Sequence, residues 1–236
     1  MSRRILVVSS CTAKKADEGC PSPLSIEDFR DAAQLRDGEA RLSGWRLRAV
    51  DMYTGPQHLH VRDGVDALRR RLGPGAVSLK IISAGYGLLD EDTPVVPYEV
   101  TFNTMSRSEA RAWARHLRIP HDVRRACGGY DLVIFLLGSR YLDALDPPIA
   151  TAPGQRLIFL AKPSDAPRLV GPGVTVVPAG KAETRYGAGL VALKGWMFRL
   201  FASAVARTGK ALLEDVMRDD TPGAFLRALE LGLDRE

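Results

Sequence analysis

The chain has 236 residues, 45% of them hydrophobic and 26% charged, with a formal net charge of +5. This is the composition of a globular protein that can bury a real core, and no apolar run approaches the roughly 20 residues that a membrane span needs. Three cysteines (Cys11, Cys20, Cys127) without CxxC spacing argue against a disulfide framework or a zinc knuckle, and the four histidines lack ligand spacing, so no metal and no cofactor is expected. The positive balance leans towards an anionic partner, although arginine patches such as Arg69 to Arg71 are explained equally well by a solvated helix face. A cytoplasmic location without membrane contact is the expectation.

In chain order, Arg4 to Ser9 is a short β-branched run that reads as a first strand. It leads into Ser10, Cys11, Thr12, Ala13, Lys14 and Lys15, where hydroxyls, freed backbone amides and ammonium groups could hold an anion; a mobile lysine-bearing loop with a buried cysteine is the competing reading. Ser25 with Asp28 resembles a helix start, predicting a short helix over Ile26 to Leu35, and a second helix is predicted over Leu42 to Val50. Tyr53, Thr54, Gly55 and Pro56 form a junction, with Pro56 opening a helix to about Leu72 that buries Val61, Val65, Leu68 and Leu72.

Val77 to Ile82 reads as a buried strand that stops abruptly at Ser83, Ala84 and Gly85, and small residues at a strand end let a ligand approach the backbone. The stretch that follows carries Tyr86, Gly87, Asp90, Glu91, Asp92, Pro97, Tyr98 and Thr101 and is expected to be a functional loop. Ser106 and Glu109 form a capping box for a helix to about Leu117, with Trp113 inward. Asp131 to Leu137 is the most continuous apolar run and the expected central strand, ending at Gly138, Ser139, Arg140 and Tyr141. Further strands are expected at Arg156 to Leu160 and Val174 to Pro178. After them Lys181, Arg185 and Lys194 precede or open a helix through about Val205, where cations oppose the helix dipole and make sense around an anion. The tail from Lys210 to Glu236 reads as two short helices, Thr221 before Pro222 capping the second. Three strands ending in small, hydroxyl or cationic residues indicate a mostly parallel α/β sheet whose strand ends share one site. The expected organisation is one α/β domain over residues 1–206 with a C-terminal helical extension over 207–236.

The series SCTAKK, MYTGP, IISAGYGLLDEDTPVVPYEVTF with MSRSEARAW behind it, and FLLGSRYLDAL resembles a bacterial and phage domain family. That family reads approximately SC-x-x-K, LYTG, ILSAKYGLLDPD-x-x-x-PYD-x-T and GxxY. It is similar in turn to the YaaA peroxide-stress proteins and, more distantly, to a domain of archaeosine synthase. The match runs over Ile5 to Leu145. The resemblance implies a Rossmann-like core and a nucleotide or nucleic-acid context. It carries over to Ser10, Cys11, Lys14, Tyr53, Thr54, Ser83, Tyr86, Gly87, Asp90, Pro97, Tyr98, Thr101, Gly138 and Tyr141. One departure is Gly85, where the family usually has Lys or Arg; Lys181 or Arg185 are the candidate replacements.

Two functions follow as expectations. One is an enzyme, a hydrolase or transferase acting on a nucleotide or on a base within nucleic acid, at the N-glycosidic bond or an exocyclic group. Asp90 would then activate water, Tyr86 and Tyr98 would contact the base, Cys11 would be a possible nucleophile, and Lys14, Arg140 and Lys181 would hold phosphate. The other is a non-catalytic DNA- or RNA-binding protein in which the same tyrosines and cations form a groove.

Overall fold

The computed structural model describes residues 3–233. The chain begins with β1 (Ile5–Ser10), α1 (Ala32–Arg41), β2 (Leu47–Arg48), α2 (Ala49–Met52) and α3 (Pro56–Leu72). It continues through β3 (Val77–Ser83), β4 (Gly87–Asp90), β5 (Pro94–Val95), α4 (Arg107–His116), α5 (Ile119–Cys127), β6 (Leu132–Leu136) and α6 (Ser139–Leu145). It ends with β7 (Arg156–Ala161), β8 (Val174–Pro178), α7 (Leu193–Thr208), α8 (Lys210–Arg218) and α9 (Gly223–Leu233). Asp234 to Glu236, the end of the expected second tail helix, lie outside the described residues.

Six strands form one sheet in the order β4-β3-β1-β6-β7-β8, parallel except for the β3–β4 pair. Every residue of β1 and of β6 is buried, as expected for strands covered on both faces. With the antiparallel β4 at the edge beside β3, this is a Rossmann-like strand order. One helix group, α3 with α7 and α7 with α9, packs along β1, β3 and β6; a second, of α4, α5 and α6, is tied to the sheet edge through α5 and β4. The chain works outward from β1 to β3 and β4 and then returns to β6, so the winding reverses between β1 and β6. In open α/β sheets a ligand crevice forms beyond the carboxyl ends of the strands at such a reversal.

The local chemistry explains the elements. Pro56 opens α3, Gly73 ends it at φ 105°, and Val61, Val65 and Leu68 are buried as their spacing predicts. The Ser106–Glu109 capping box opens α4, and the Thr221 hydroxyl accepts the Gly223 amide at the start of α9. Three sequence expectations change. The helix after Ser25 starts instead at Asp31, whose carboxylate accepts the Ala33 and Gln34 amides, and it runs to Arg41. Leu42 to Val50 is not one helix: a turn at Ser43–Trp45 leads into β2, which pairs antiparallel with β5. The stretch after Ser83 is not an open loop, because Gly87 pairs back onto Ser83 and β4 follows β3 as a tight hairpin. No helix among the described residues is long and apolar enough to cross a membrane.

Candidate functional site

Cys11 extends β1 by one step, its amide bonding the Ile82 carbonyl at 2.9 Å. The following loop is pinned to the strand-like segment before α3. The Lys14 carbonyl accepts the Thr54 amide and the Thr12 hydroxyl, while the Thr12 oxygen accepts the Gly55 amide. Lys15 pairs with Tyr53 in an isolated antiparallel bridge. That bridge turns Lys15 inward and leaves Lys14 exposed, and the Lys15 ammonium lies 4.7 Å from the centre of the Tyr98 ring.

Tyr98 is fully buried and held on both sides by backbone bonds between Leu24 and residues 97 and 99. The Ser83 hydroxyl accepts the amides of Gly85 and Tyr86 and donates to the Tyr98 oxygen at 2.7 Å, and Tyr53 Oη lies 2.8 Å from Tyr98 Oη. On the other side, Tyr141 enters from the first turn of α6, and its hydroxyl lies 3.0 Å from Cys11 Sγ. Burial first, and then the Cys11 sulfur alongside, pushes the Tyr98 and Tyr141 phenols well above the ordinary tyrosine range. Both hydroxyls therefore keep their protons at neutral pH and have one to donate.

These groups stand at a pocket of about 240 Å³ lined by Cys11, Thr12, Ala13, Lys15, Glu99, Val100, Thr101, Asn103 and Tyr141. It opens beside the ends of β1 and β6, where the winding reverses. A thiol, a protonated phenol, a carboxylate, an amide and an ammonium thus share one small cavity. Among the described residues no three His, Cys, Asp or Glu side chains are grouped as metal ligands would be.

Of the predicted residues, the structure brings Cys11, Thr101 and Tyr141 to the pocket wall and joins Tyr53, Ser83 and Tyr98 in a buried hydroxyl network outside the lining. It does not bring the others to the pocket wall. Asp90 is exposed on β4 and paired with Lys80, three residues back from the hairpin turn, roughly 10 Å along the strand. The Tyr86 hydroxyl accepts the Val96 amide, and burial raises this phenol too. Ser10 is the last residue of β1, and Gly87 makes the hairpin turn at φ 77° against the Leu117 carbonyl. Gly138 precedes α6, Arg140 pairs with Asp143, and the Thr54 hydroxyl is buried without a hydrogen-bond partner among the described residues. Lys181 and Arg185 are exposed beyond β8, three strands from β1, roughly 14 Å away across the sheet. At Gly85 a side chain has no room: a Cβ there would lie 2.6 Å from the Phe29 ring, which packs edge-on against Tyr86 and Tyr98.

Lys15, Glu99 and Asn103 are pocket residues that sequence reasoning missed. The signal for Glu99 was its place next to Tyr98, and the signal for Lys15 was its place next to Lys14.

Fold and site together define a Rossmann-like α/β protein with a polar pocket at the reversal of its sheet. The chain belongs to a family of unknown function (DUF6884), whose model matches residues 44–161. The matched stretch includes Tyr53, Ser83, Tyr98, Glu99 and Tyr141, and Cys11 and Lys15 precede it. No curated protein matches the chain.

Proposed function

We propose that the protein is an enzyme acting on a nucleotide or nucleobase ligand, with Cys11 as the attacking group and an exocyclic substituent of the base as the leaving group. The observation that carries this reading is the Cys11 sulfur 3.0 Å from the Tyr141 hydroxyl in a pocket that also holds Glu99 and Lys15. A thiol adds to an electron-poor ring carbon, and an amine leaves with the thiol proton. Water then displaces the sulfur, Glu99 taking its proton and returning it to the thiol. Tyr141, which keeps its proton, donates to the base during both steps, and Lys15 supplies fixed positive charge where negative charge develops. The nucleotide context rests on the resemblance to the YaaA and archaeosine-synthase domains and on the pocket's place in a Rossmann-like sheet.

The alternative, a non-catalytic nucleic-acid binder, needs exposed aromatic rings on which bases stack. Tyr53, Tyr98 and Tyr141 are buried and Tyr86 is half-buried, which weighs against a stacking groove at this pocket.

The test is a product screen of the purified protein against nucleosides, nucleoside monophosphates, free bases and short DNA, alongside Cys11→Ala, Glu99→Gln and Tyr141→Phe. Turnover of a small ligand that falls by about 10²-fold or more in Cys11→Ala and Glu99→Gln is the expected outcome. Steeply salt-dependent DNA binding with no product, the same in all variants, would overturn it.

A further inference from the structure

A second polar constellation stands on the same edge of the sheet. Ser139 opens α6 after β6, and Lys162 and Asp165 follow β7. Asp165 is buried and has no oxygen to spare: one accepts the Ser139 hydroxyl at 2.7 Å, the other the Arg168 guanidinium at 2.7 Å. Arg168 also grips Asp143, the only other carboxylate lining this pocket of about 250 Å³, and Asp143 is further paired with Arg107 and Arg140. The carboxylates are committed to arginine and serine.

The lysines beside them are not. Lys194, in the first turn of α7, is 7% exposed and makes no hydrogen bond or ion pair among the described residues. Its charged neighbours are Lys162, a like charge, and Asp165, already taken; burial first, and Lys162 next, pull its pKa below the ordinary lysine range. The packing holds it there. Gly195 lies so close to the Gln57 carbonyl in the first turn of α3 that a Cβ would overlap it, and the Gln57 side chain donates to the Leu136 carbonyl at the end of β6. Just before α3 stands the unpartnered Thr54 hydroxyl, and the N-cap of α3, Gly55, has no side chain to cap it. A lysine this deeply set beside a second one, with Asp165 and Asp143 already paired, is costly unless an anion joins them.

We propose that Lys194 and Lys162 hold the phosphoryl group of a phosphomonoester ligand beside the C-terminal ends of β6 and β7. Lys162 follows β7, two strands from β1, so its backbone stands roughly 10 Å from that of Cys11 across the sheet. That interval is of the order separating a base from the 5′-phosphate of its nucleotide. Helix α6 carries Tyr141 into the Cys11 pocket and Ser139 onto Asp165, three residues beyond Lys162. The ligand is therefore a nucleoside 5′-monophosphate rather than a nucleoside, a step that rests on the function proposed above; the phosphoryl site itself does not.

The experiment measures thermal shift and equilibrium binding of the full chain with inorganic phosphate, adenosine, guanosine and their 5′-monophosphates at constant ionic strength. Wild type, Lys162→Ala, Lys194→Met and Cys11→Ala are compared. Phosphate is expected to raise Tm where matched chloride does not, and one monophosphate to bind at least about tenfold tighter than its nucleoside. Lys162→Ala and Lys194→Met lose both effects, Cys11→Ala keeps the response to inorganic phosphate, and Lys194→Met in phosphate-free buffer melts no lower than wild type because it sheds a largely buried charge. Phosphate acting no better than chloride, or acting fully on both lysine variants, overturns the proposal. If Lys194→Met does not fold, the exposed Lys162→Ala decides. A phosphate response without turnover of any nucleotide leaves this site standing and removes the enzymatic reading, whereas nucleosides bound as tightly as their monophosphates despite a phosphate response refute only the nucleotide assignment.

Discussion

Tyr98 sets the order of the site, because its hydroxyl accepts from Ser83 and stands in hydrogen-bond range of Tyr53 while its ring lies under the Lys15 ammonium. Tyr98→Phe leaves the Ser83 and Tyr53 hydroxyls buried and short of a partner, and a buried polar group stripped of its partner costs about 1–3 kcal/mol. Urea unfolding should show that loss with an unchanged m-value, whereas a loss under about 0.5 kcal/mol would mean the network is not sealed from water. The tyrosines and Ser83 were legible in the sequence because each stands at an element end or a motif position. The pocket's charged groups were less so. Nothing in two consecutive lysines says which turns inward; the Lys15–Tyr53 bridge decides it, a contact between segments 38 residues apart in numbering. Likewise the Asp90–Asp92 run drew attention by its charge, yet strand pairing places Asp90 opposite Lys80 on an exposed edge, while Glu99 takes its place at the pocket.

At the scale of elements, α3 and α7 form the most extensive helix contact, and glycines let them close. Gly195 rests on the backbone of Gln57, and Gly64 faces Phe198 and the Arg199 backbone. A methyl at Gly195 meets main chain, which cannot swing aside as a side chain can. Gly195→Ala should therefore cost at least about 1–3 kcal/mol despite the better helix propensity of alanine, read as a lowered denaturation midpoint. A neutral or stabilising result would show that the two helices can separate without loss. The β-branched runs made β1, β3, β6, β7 and β8 legible within about two residues: β1, β6 and β7 are buried throughout and so nearly continuous in apolar residues, whereas β3 and β8 are only partly buried yet still rich in β-branched residues. The edge strand β4 was not legible. Its four residues alternate in burial, are flanked by glycine and acids, and acquire strand geometry only by pairing with β3.

For the molecule as a whole, burial of titratable groups bounds stability on both sides of neutrality. Tyr53, Tyr86, Tyr98 and Tyr141 are raised above the ordinary phenol range, and burial pushes the Cys127 thiol up to about 11. Each favours the folded state fully below its unfolded pKa, about 8.5 for the thiol and 10 for the phenols, and that contribution is lost as pH rises beyond. His58 works from the acid side. Burial lowers its pKa while its Nε2 lies 2.9 Å from the Val50 carbonyl, so its contribution is present above about pH 6.5 and lost as pH falls. Lys194 runs against the alkaline trend: depressed by burial, it destabilises the fold while charged, and the penalty eases as pH rises towards the ordinary lysine range. Stability of the ligand-free protein should accordingly be flat between about pH 6.5 and 8.5 and fall on either side. The margin of Lys194→Met over wild type should be widest near neutrality and narrow towards pH 10. Urea midpoints from pH 5 to 10 measure both, and phenolate absorbance at the alkaline end provides an independent reading. Four of the six tyrosines should ionise together with unfolding rather than before it. Early, gradual ionisation of all six in the folded protein would show that the Cys11 pocket admits hydroxide freely and that its phenols do not hold their protons as donors.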